Sequence, residues 1–352
     1  MMSKPDKEQK QAVAEGGAGI QAGGDLTVNV GPSFSEIDKI VVDRVKAEMI
    51  GYSLETQERI DRSLERYRTE IHYLFERKEM RREAFRDPDF VYLLGRAGHF
   101  YARAGEDQLL DILTRLLVLR SKEIERSRLS LILNEAVEKS AVLTAEEFAA
   151  MALVFLVRYC SVDKSDIMAL SNHLNTAVVP LIDKVSTEQS CGRYIQSHGC
   201  GSLEIFEYTL ENCLLGVFGG LFCYGFADKT ELYAHLPNRE GLIDDLIVPC
   251  VHEEGRIQID ALNKTDLLMK VATRGLTEEE VDKVYKGIEQ KYLRKDRIIE
   301  VLEPSVPRIQ ELFDLWDSSY LKKLSLTTNG LALGYSYLRP TMELPEISVW
   351  IK

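Results

Sequence analysis

Residues 16–33 read Gly-Gly-Ala-Gly-Ile-Gln-Ala-Gly-Gly-Asp-Leu-Thr-Val-Asn-Val-Gly-Pro-Ser. Ile20, Ala22, Leu26, Val28 and Val30 occupy alternate positions, and Gly23-Gly24-Asp25 interrupts them. Period-two apolar residues around a glycine turn predict strand, tight turn, strand. A ribbon of two short strands is marginal alone in water. It therefore needs a partner, either its own body or the ribbon of another copy. The expectation is an association element over residues 16–32, preceded by a disordered polar leader over 1–15. That leader has no apolar core and does not read as a signal peptide.

Beyond the ribbon the period changes to that of helices. Ser33-Phe-Ser-Glu36 fits a capping box opening a first amphipathic helix, with Gly51 breaking it. Ile60, Leu64, Tyr67, Ile71 and Leu74 then form a 4-3-4-3 seam on a long second helix. Residues 53–87 hold nine basic and nine acidic residues, a balance that suits a solvated, ion-paired helix and not a one-sided nucleic-acid arm. The local basic group Arg77, Lys78, Arg81 and Arg82 reads as a solvated face. Asp87-Pro88 marks a stop and a restart, and Gly105 breaks the next helical hairpin. Further capping boxes lie at Thr144–Glu147 and Thr277–Glu280. The apolar run 148–160 and residues 163–185 also read as helix, with Pro180 as a kink or stop.

A looser stretch, 186–202, supplies the main boundary. The predicted organisation is a helical domain over 33–185, an apolar core segment with loops over 186–260, and a C-terminal α+β unit over 261–352. In that last unit, residues 321–326, 327–338 and 347–351 read as strand, helix and strand. The Leu-Thr-x-x-Gly turn at Leu326–Gly330 resembles one common in winged-helix units. The fold class is therefore mainly α: a multi-helix body, an N-terminal β-ribbon and a small winged-helix-like C-terminal unit.

The chain has 352 residues and a net charge of −12, which disfavours non-specific binding to nucleic acid or anionic lipid. The cysteines at 160, 191, 200, 213, 223 and 250 form no dense framework and read as buried free thiols in a reducing compartment, the cytoplasm. Residues 213–227 are fifteen without a charge, shorter than the roughly 20 that span a bilayer. Leu214, Phe218, Leu221 and Phe222 are its core or membrane-contact candidates. Burial in a glycine-rich helix is the first expectation, and membrane action upon activation a minority one.

Catalytic signals are sparse. His198-x-Cys200 and Cys250-x-His252 are two-ligand units that together would make a Cys2His2 zinc site. Neither Cys-x-x-Cys nor His-x-x-x-His is present, so the reading is no metal and no cofactor. Cys191 or Cys200 with His198 or His252 offers a thiol and a base, without the flanks of a known nucleophile elbow. Gly216-x-x-Gly219-Gly220 lacks the Lys-Ser/Thr of a phosphate loop and suits close helix packing. Lys322 and Lys323 are the DNA-contact candidates of a winged helix.

Three pieces together resemble an uncharacterised family of bacterial cytosolic proteins known by locus-tag names. They are Ile20-Gln-Ala-Gly-Gly-Asp-Leu-Thr-Val28, Tyr101-Ala-Arg-Ala-Gly105 with Arg120 and Leu133-Asn-Glu-Ala136, and Leu326-Thr-Thr-Asn-Gly-Leu-Ala-Leu-Gly334 with Trp350-Ile351. The first is similar to strand segments on bacterial proteins suspected of phage defence. The resemblance implies a bacterial origin and a defence or stress role, and brings no catalytic residues. The expected function is a self-assembling, non-enzymatic sensor or effector in abortive infection, a homo-oligomer triggered by a phage or host protein. The alternatives are a winged-helix regulator, a zinc-dependent hydrolase or nuclease, and a membrane-disrupting effector.

Overall fold

The computed structural model describes residues 34–48, 53–160, 166–339 and 342–351. The predicted ribbon, with Ile20, Ala22, Leu26, Val28 and Val30, and the leader before it lie outside the described residues. The rest is mainly helical, as the 3.6-residue periodicity predicts.

Helix α1 (Phe34–Glu48) packs on α2 (Leu54–Glu76) and α3 (Pro88–Ala104), with Val45 buried among Ile60, Leu64 and Ala102. All five seam residues of α2 are buried, and the Ser53 side chain accepts the Thr56 N–H. Asp87 caps α3, Pro88 opens it, and Gly105 closes it at φ 70°. Helices α4 (Asp107–Lys122) and α5 (Arg128–Ser140) follow. The Thr144–Glu147 capping box then opens α6 (Ala145–Val154), whose residues from Glu147 to Val154 are all buried.

The guanidinium of Arg120, near the end of α4, holds the first helices together from inside. It donates to Asp87 (2.7 Å), Asp89 (3.2 Å), Asn134 (2.9 Å) and the Glu123 carbonyl (2.7 Å), and Asn134 closes the ring by donating to Asp89 (2.6 Å). One buried cation thus ties the start of α3, the end of α4 and the middle of α5.

α6 runs into a π-turn at Phe155–Tyr159. A second π-turn (Leu174–Val178) and a 3-10 turn (Val179–Lys184) follow α7 (Ile167–His173), and Pro180 stands within the 3-10 turn. The stretch 186–202, which the sequence suggests is loose, contains α8 (Gln189–Ser197). Cys191 and Ile195, one helical turn apart, are its buried face, and Gly192 packs directly against Tyr320. Short serine- and glycine-containing helices of this kind are decided by packing, not by propensity.

β1 (Gly201–Leu203) leads to α9 (Leu210–Phe218). In the apolar segment 213–227 the large side chains Leu214, Leu215, Phe218, Leu221, Phe222 and Phe226 are buried, but Gly216 and Ala227 are exposed and the helix reaches only Phe218. A 3-10 turn at Gly219–Leu221 follows, then an irregular stretch with single bridges at Cys223 and Phe226. A Cβ at 219 would lie 2.2 Å from the Tyr292 hydroxyl, and one at 220 would lie 2.0 Å from the Ala261 carbonyl oxygen. These glycines bring backbone against a second, smaller apolar cluster, and a continuing helix would not.

That cluster is built from α10 (Lys229–Tyr233), the hairpin of β2 (Ile247–Pro249) and β3 (Ile257–Ile259), α11 (Lys264–Val271) and α12 (Glu278–Glu289). The Thr277–Glu280 capping box opens α12. α13 (Lys295–Leu302), α14 (Ile309–Ser318), β4 (Leu324–Leu326) and α15 (Thr328–Leu338) return to the main core, where α15 packs against α4, α5 and α6. A Cβ at 330 would lie 1.9 Å from the Cys200 carbonyl oxygen, so only glycine fits there.

The predicted terminal strand 347–351 is a 3-10 turn at Ile347–Val349. Ile347 and Ile351 are both buried while Val349 is 58% exposed. A strand would have turned all three the same way. Trp350 donates to the Tyr159 carbonyl at 2.6 Å. β4 pairs antiparallel with β1 instead, with Ser202 opposite Ser325, and α15 is buried almost throughout.

Candidate interaction surface

The loop between β1 and α9 carries the most exposed apolar pair of the described residues. The Glu204 N–H donates to the Lys323 carbonyl (2.8 Å), and the Tyr208 N–H donates to the Lys322 carbonyl (2.7 Å). Two anchors four residues apart thus land on neighbouring carbonyls. The three residues between them have nowhere to go but outward. Ile205 is 92% exposed and Phe206 76%.

The base of the loop is fixed from several directions. The Tyr208 carbonyl accepts the indole N–H of fully buried Trp316 (2.7 Å), and the Arg158 guanidinium lies 3.8 Å from the Tyr208 ring centroid. Asp317 accepts the Leu210 N–H (3.2 Å), and Thr209 caps α9. Glu207 bridges Lys322 (3.1 Å) and Lys323 (3.3 Å), and those two ammonium groups hold its carboxyl below the usual carboxylate range. Arg158 and Tyr159, from the π-turn, also close the outer edge of β4. Arg158 donates to the Leu324 carbonyl, and Tyr159 accepts the Leu326 N–H. π-turns often mark a place where side chains are re-aimed. The result is a stiff base with an apolar tip, the arrangement that contact surfaces favour because little ordering entropy remains to be lost.

The residues singled out from sequence separate as follows. Leu214, Phe218, Leu221 and Phe222 are core. His198 stacks on Tyr194, its Nδ1 2.9 Å from the Tyr194 carbonyl, and the Cys200 thiol reaches the His198 carbonyl (3.7 Å). Cys250 and His252 lie elsewhere, against 221–223: the Cys250 thiol donates to the Cys223 carbonyl (3.3 Å), and His252 Nε2 is 2.6 Å from the Leu221 carbonyl. Among the described residues no three His, Cys, Asp or Glu side chains group as a metal site. Burial pushes the Cys191 thiol up to about 12, even though the Tyr320 hydroxyl donates to it, and the Cys200 thiol up to about 11. Such thiols stay protonated at neutral pH and are poor nucleophiles. No helix among the described residues is long and apolar enough to cross a membrane. Of the basic cluster, Arg77 pairs with Glu79 and Arg82 covers the Phe75 ring.

The sequence reading missed the tip. Glu-Ile-Phe-Glu-Tyr has no diagnostic period, and only the two carbonyl anchors reveal that Ile205 and Phe206 point away from the core. The one available signal was two bulky apolar residues between glutamates in a non-helical stretch.

A family model matches residues 31–351, under a locus-tag-style name ending in "-like". The chain belongs to this family. No curated protein and no solved structure matches it. The family match spans the helical body and the tip but begins after the alternating residues 20–30.

Proposed function

We propose that this protein acts by binding other protein chains, first of all copies of itself, and not by catalysis. The observation that supports this reading is the rigidly held Ile205–Phe206 tip. Two large apolar side chains in water cost roughly 1.5–3 kcal/mol each relative to burial. A short, stiff, apolar projection returns that free energy on contact with a partner. The ribbon at 16–32 is the second association element, and pairs with its counterpart in another copy by strand addition. The resemblance of the ribbon motif to segments of suspected phage-defence proteins supports reading this assembly as a cytoplasmic sensor or effector in bacterial abortive infection that answers a phage or host protein.

Light scattering after size exclusion tests the assembly. Wild type is expected to run as an oligomer. Ile205→Ser with Phe206→Ser is expected to lower its order without shifting the thermal midpoint, since surface positions change stability within about 0.5 kcal/mol. Val28→Asp is expected to weaken assembly through the ribbon. Identical monomeric elution of all three proteins would sink the proposal.

A further inference from the structure

Cys223 and Cys250 border one turn of the smaller cluster. The Gly225 N–H donates to the Cys223 sulfur at 3.3 Å, and the Cys250 thiol donates to the Cys223 carbonyl at 3.3 Å. Gly225 stands between the two cysteines at φ 71°, and a Cβ there would lie 3.1 Å from both the Cβ and the sulfur of Cys250. The glycine therefore adds no side chain between the sulfurs. Each cysteine is held by the main chain around it. Cys223 pairs with Tyr292, Phe226 exchanges N–H bonds with Ile257 (2.7 and 3.0 Å), and the Cys250 N–H donates to the Arg256 carbonyl (2.9 Å).

The two thiols also differ in access. Cys223 is buried, whereas Cys250, just past the end of β2, is half-buried. Elsewhere, Cys191 accepts from the Tyr320 hydroxyl, and the Cys200 and Cys213 thiols donate to the His198 and Tyr208 carbonyls, none of these bonds reaching another cysteine's main chain. A reversible thiol pair needs one sulfur that an oxidant can reach and a second poised beside it.

We propose that Cys223 and Cys250 are a redox modification site that closes to a reversible disulfide in the presence of a hydroperoxide. The Cys250 thiolate attacks the peroxide oxygen, the O–O bond breaks, and the alcohol or water leaves with a proton. Cys250 is then a sulfenic acid. Burial pushes the Cys223 thiol up to about 11, so this second step is the slow one: the Cys223 sulfur attacks the Cys250 sulfur, the S–O bond breaks, and the Cys223 proton leaves with the hydroxyl as water. Two thiols are oxidised by two electrons and one peroxide is reduced. The Cys250 thiol already touches the Cys223 main chain, at its carbonyl, so the two residues are neighbours before any oxidation. The disulfide staples the 223–226 segment to the end of β2, and a thiol reductant reopens it.

The test treats full-length protein with equimolar hydrogen peroxide, alkylates the remaining thiols under denaturing conditions, and maps the peptides by mass spectrometry. The expected result is a mass loss of about 2 Da, a Cys223–Cys250 cross-linked peptide, and full reversal by dithiothreitol. Cys223→Ser is expected to leave a sulfenic acid on Cys250 that a dimedone probe captures. Cys250→Ser is expected to leave Cys223 alkylatable only after denaturation. Circular dichroism confirms that both variants keep the wild-type helical signal. Wild-type protein in which both thiols remain alkylatable, or in which Cys250 over-oxidises while Cys223 stays free, overturns the proposal.

Discussion

Replacing Arg120 by Met keeps most of the side-chain volume and removes the cation. Arg120 is 2% exposed and makes four hydrogen bonds, to two carboxylates, an amide oxygen and a carbonyl. Breaking a buried ion pair on one side costs about 3–5 kcal/mol, because the remaining charges lose their partner. Here the side chains of Asp87 and Asp89 are 23% and 53% exposed, so both rehydrate in part and the lower end applies, about 3 kcal/mol. At an unfolding entropy of about 2.1 cal/mol/K per residue, a chain of 352 residues shifts by about 1.4 °C per kcal/mol, so the thermal midpoint is expected to fall by about 4 °C in calorimetry. Asp87→Asn alone is expected to cost less, and the Asp87→Asn, Arg120→Met pair to be non-additive by about 1 kcal/mol or more, since the two side chains share one network. An Arg120→Met midpoint within about 1 °C of wild type, or strict additivity of the pair, would refute the assignment of Arg120 as the tie between α3, α4 and α5.

Gly219→Leu is expected to destabilise by at least the 1–3 kcal/mol typical of overpacking, because its first side-chain atom already meets the Tyr292 ring; chemical denaturation reads this, and an unchanged midpoint would contradict the packing. Stability is expected to fall as pH rises above about 9. Cys191 and Cys200 have folded pKa values raised by burial from 9.0 to about 12 and about 11, so their stabilisation is complete below pH 9 and is lost as pH climbs through that window. Cys191→Ser is expected to flatten that alkaline loss in a pH series of melts. Duplex DNA is expected not to shift at moderate salt, because Lys322 and Lys323 both answer to Glu207; a specific shift abolished by charge reversal at these lysines would favour the regulator.

Much of the helical body was legible in local pattern. The seam from Ile60 to Leu74, the helix start at Asp87-Pro88, the break at Gly105 and the boxes at Thr144 and Thr277 are set by interactions within four residues, so a single strand of sequence contains both partners; the second helix, expected to run to Asp87, instead ends at Glu76. α8 was not legible, because its stability comes from Cys191, Gly192 and Ile195 meeting Tyr320 and the core rather than from propensity. The 347–351 segment alternates like a strand, yet it turns because Ile347 and Ile351 share one apolar site and Trp350 has a carbonyl to reach. Of the candidate sites, the burial of Leu214, Phe218, Leu221 and Phe222 follows from their apolarity alone.

The sequence by itself determined the helical class, several helix starts such as those at Pro88, Thr144 and Thr277, and the burial of the apolar side chains Leu214, Phe218, Leu221 and Phe222, since each depends on period and on neighbours a few residues away. Only the tertiary structure decided that His198 and Cys200 serve a different neighbourhood from Cys250 and His252. It alone set Cys223 beside Cys250, twenty-seven residues on, and pushed Ile205 and Phe206 into solvent. Those outcomes depend on hydrogen bonds and contacts between residues distant along the chain, such as Tyr208 with Lys322 and Gly219 with Tyr292. No local period encodes which distant surface a residue will meet.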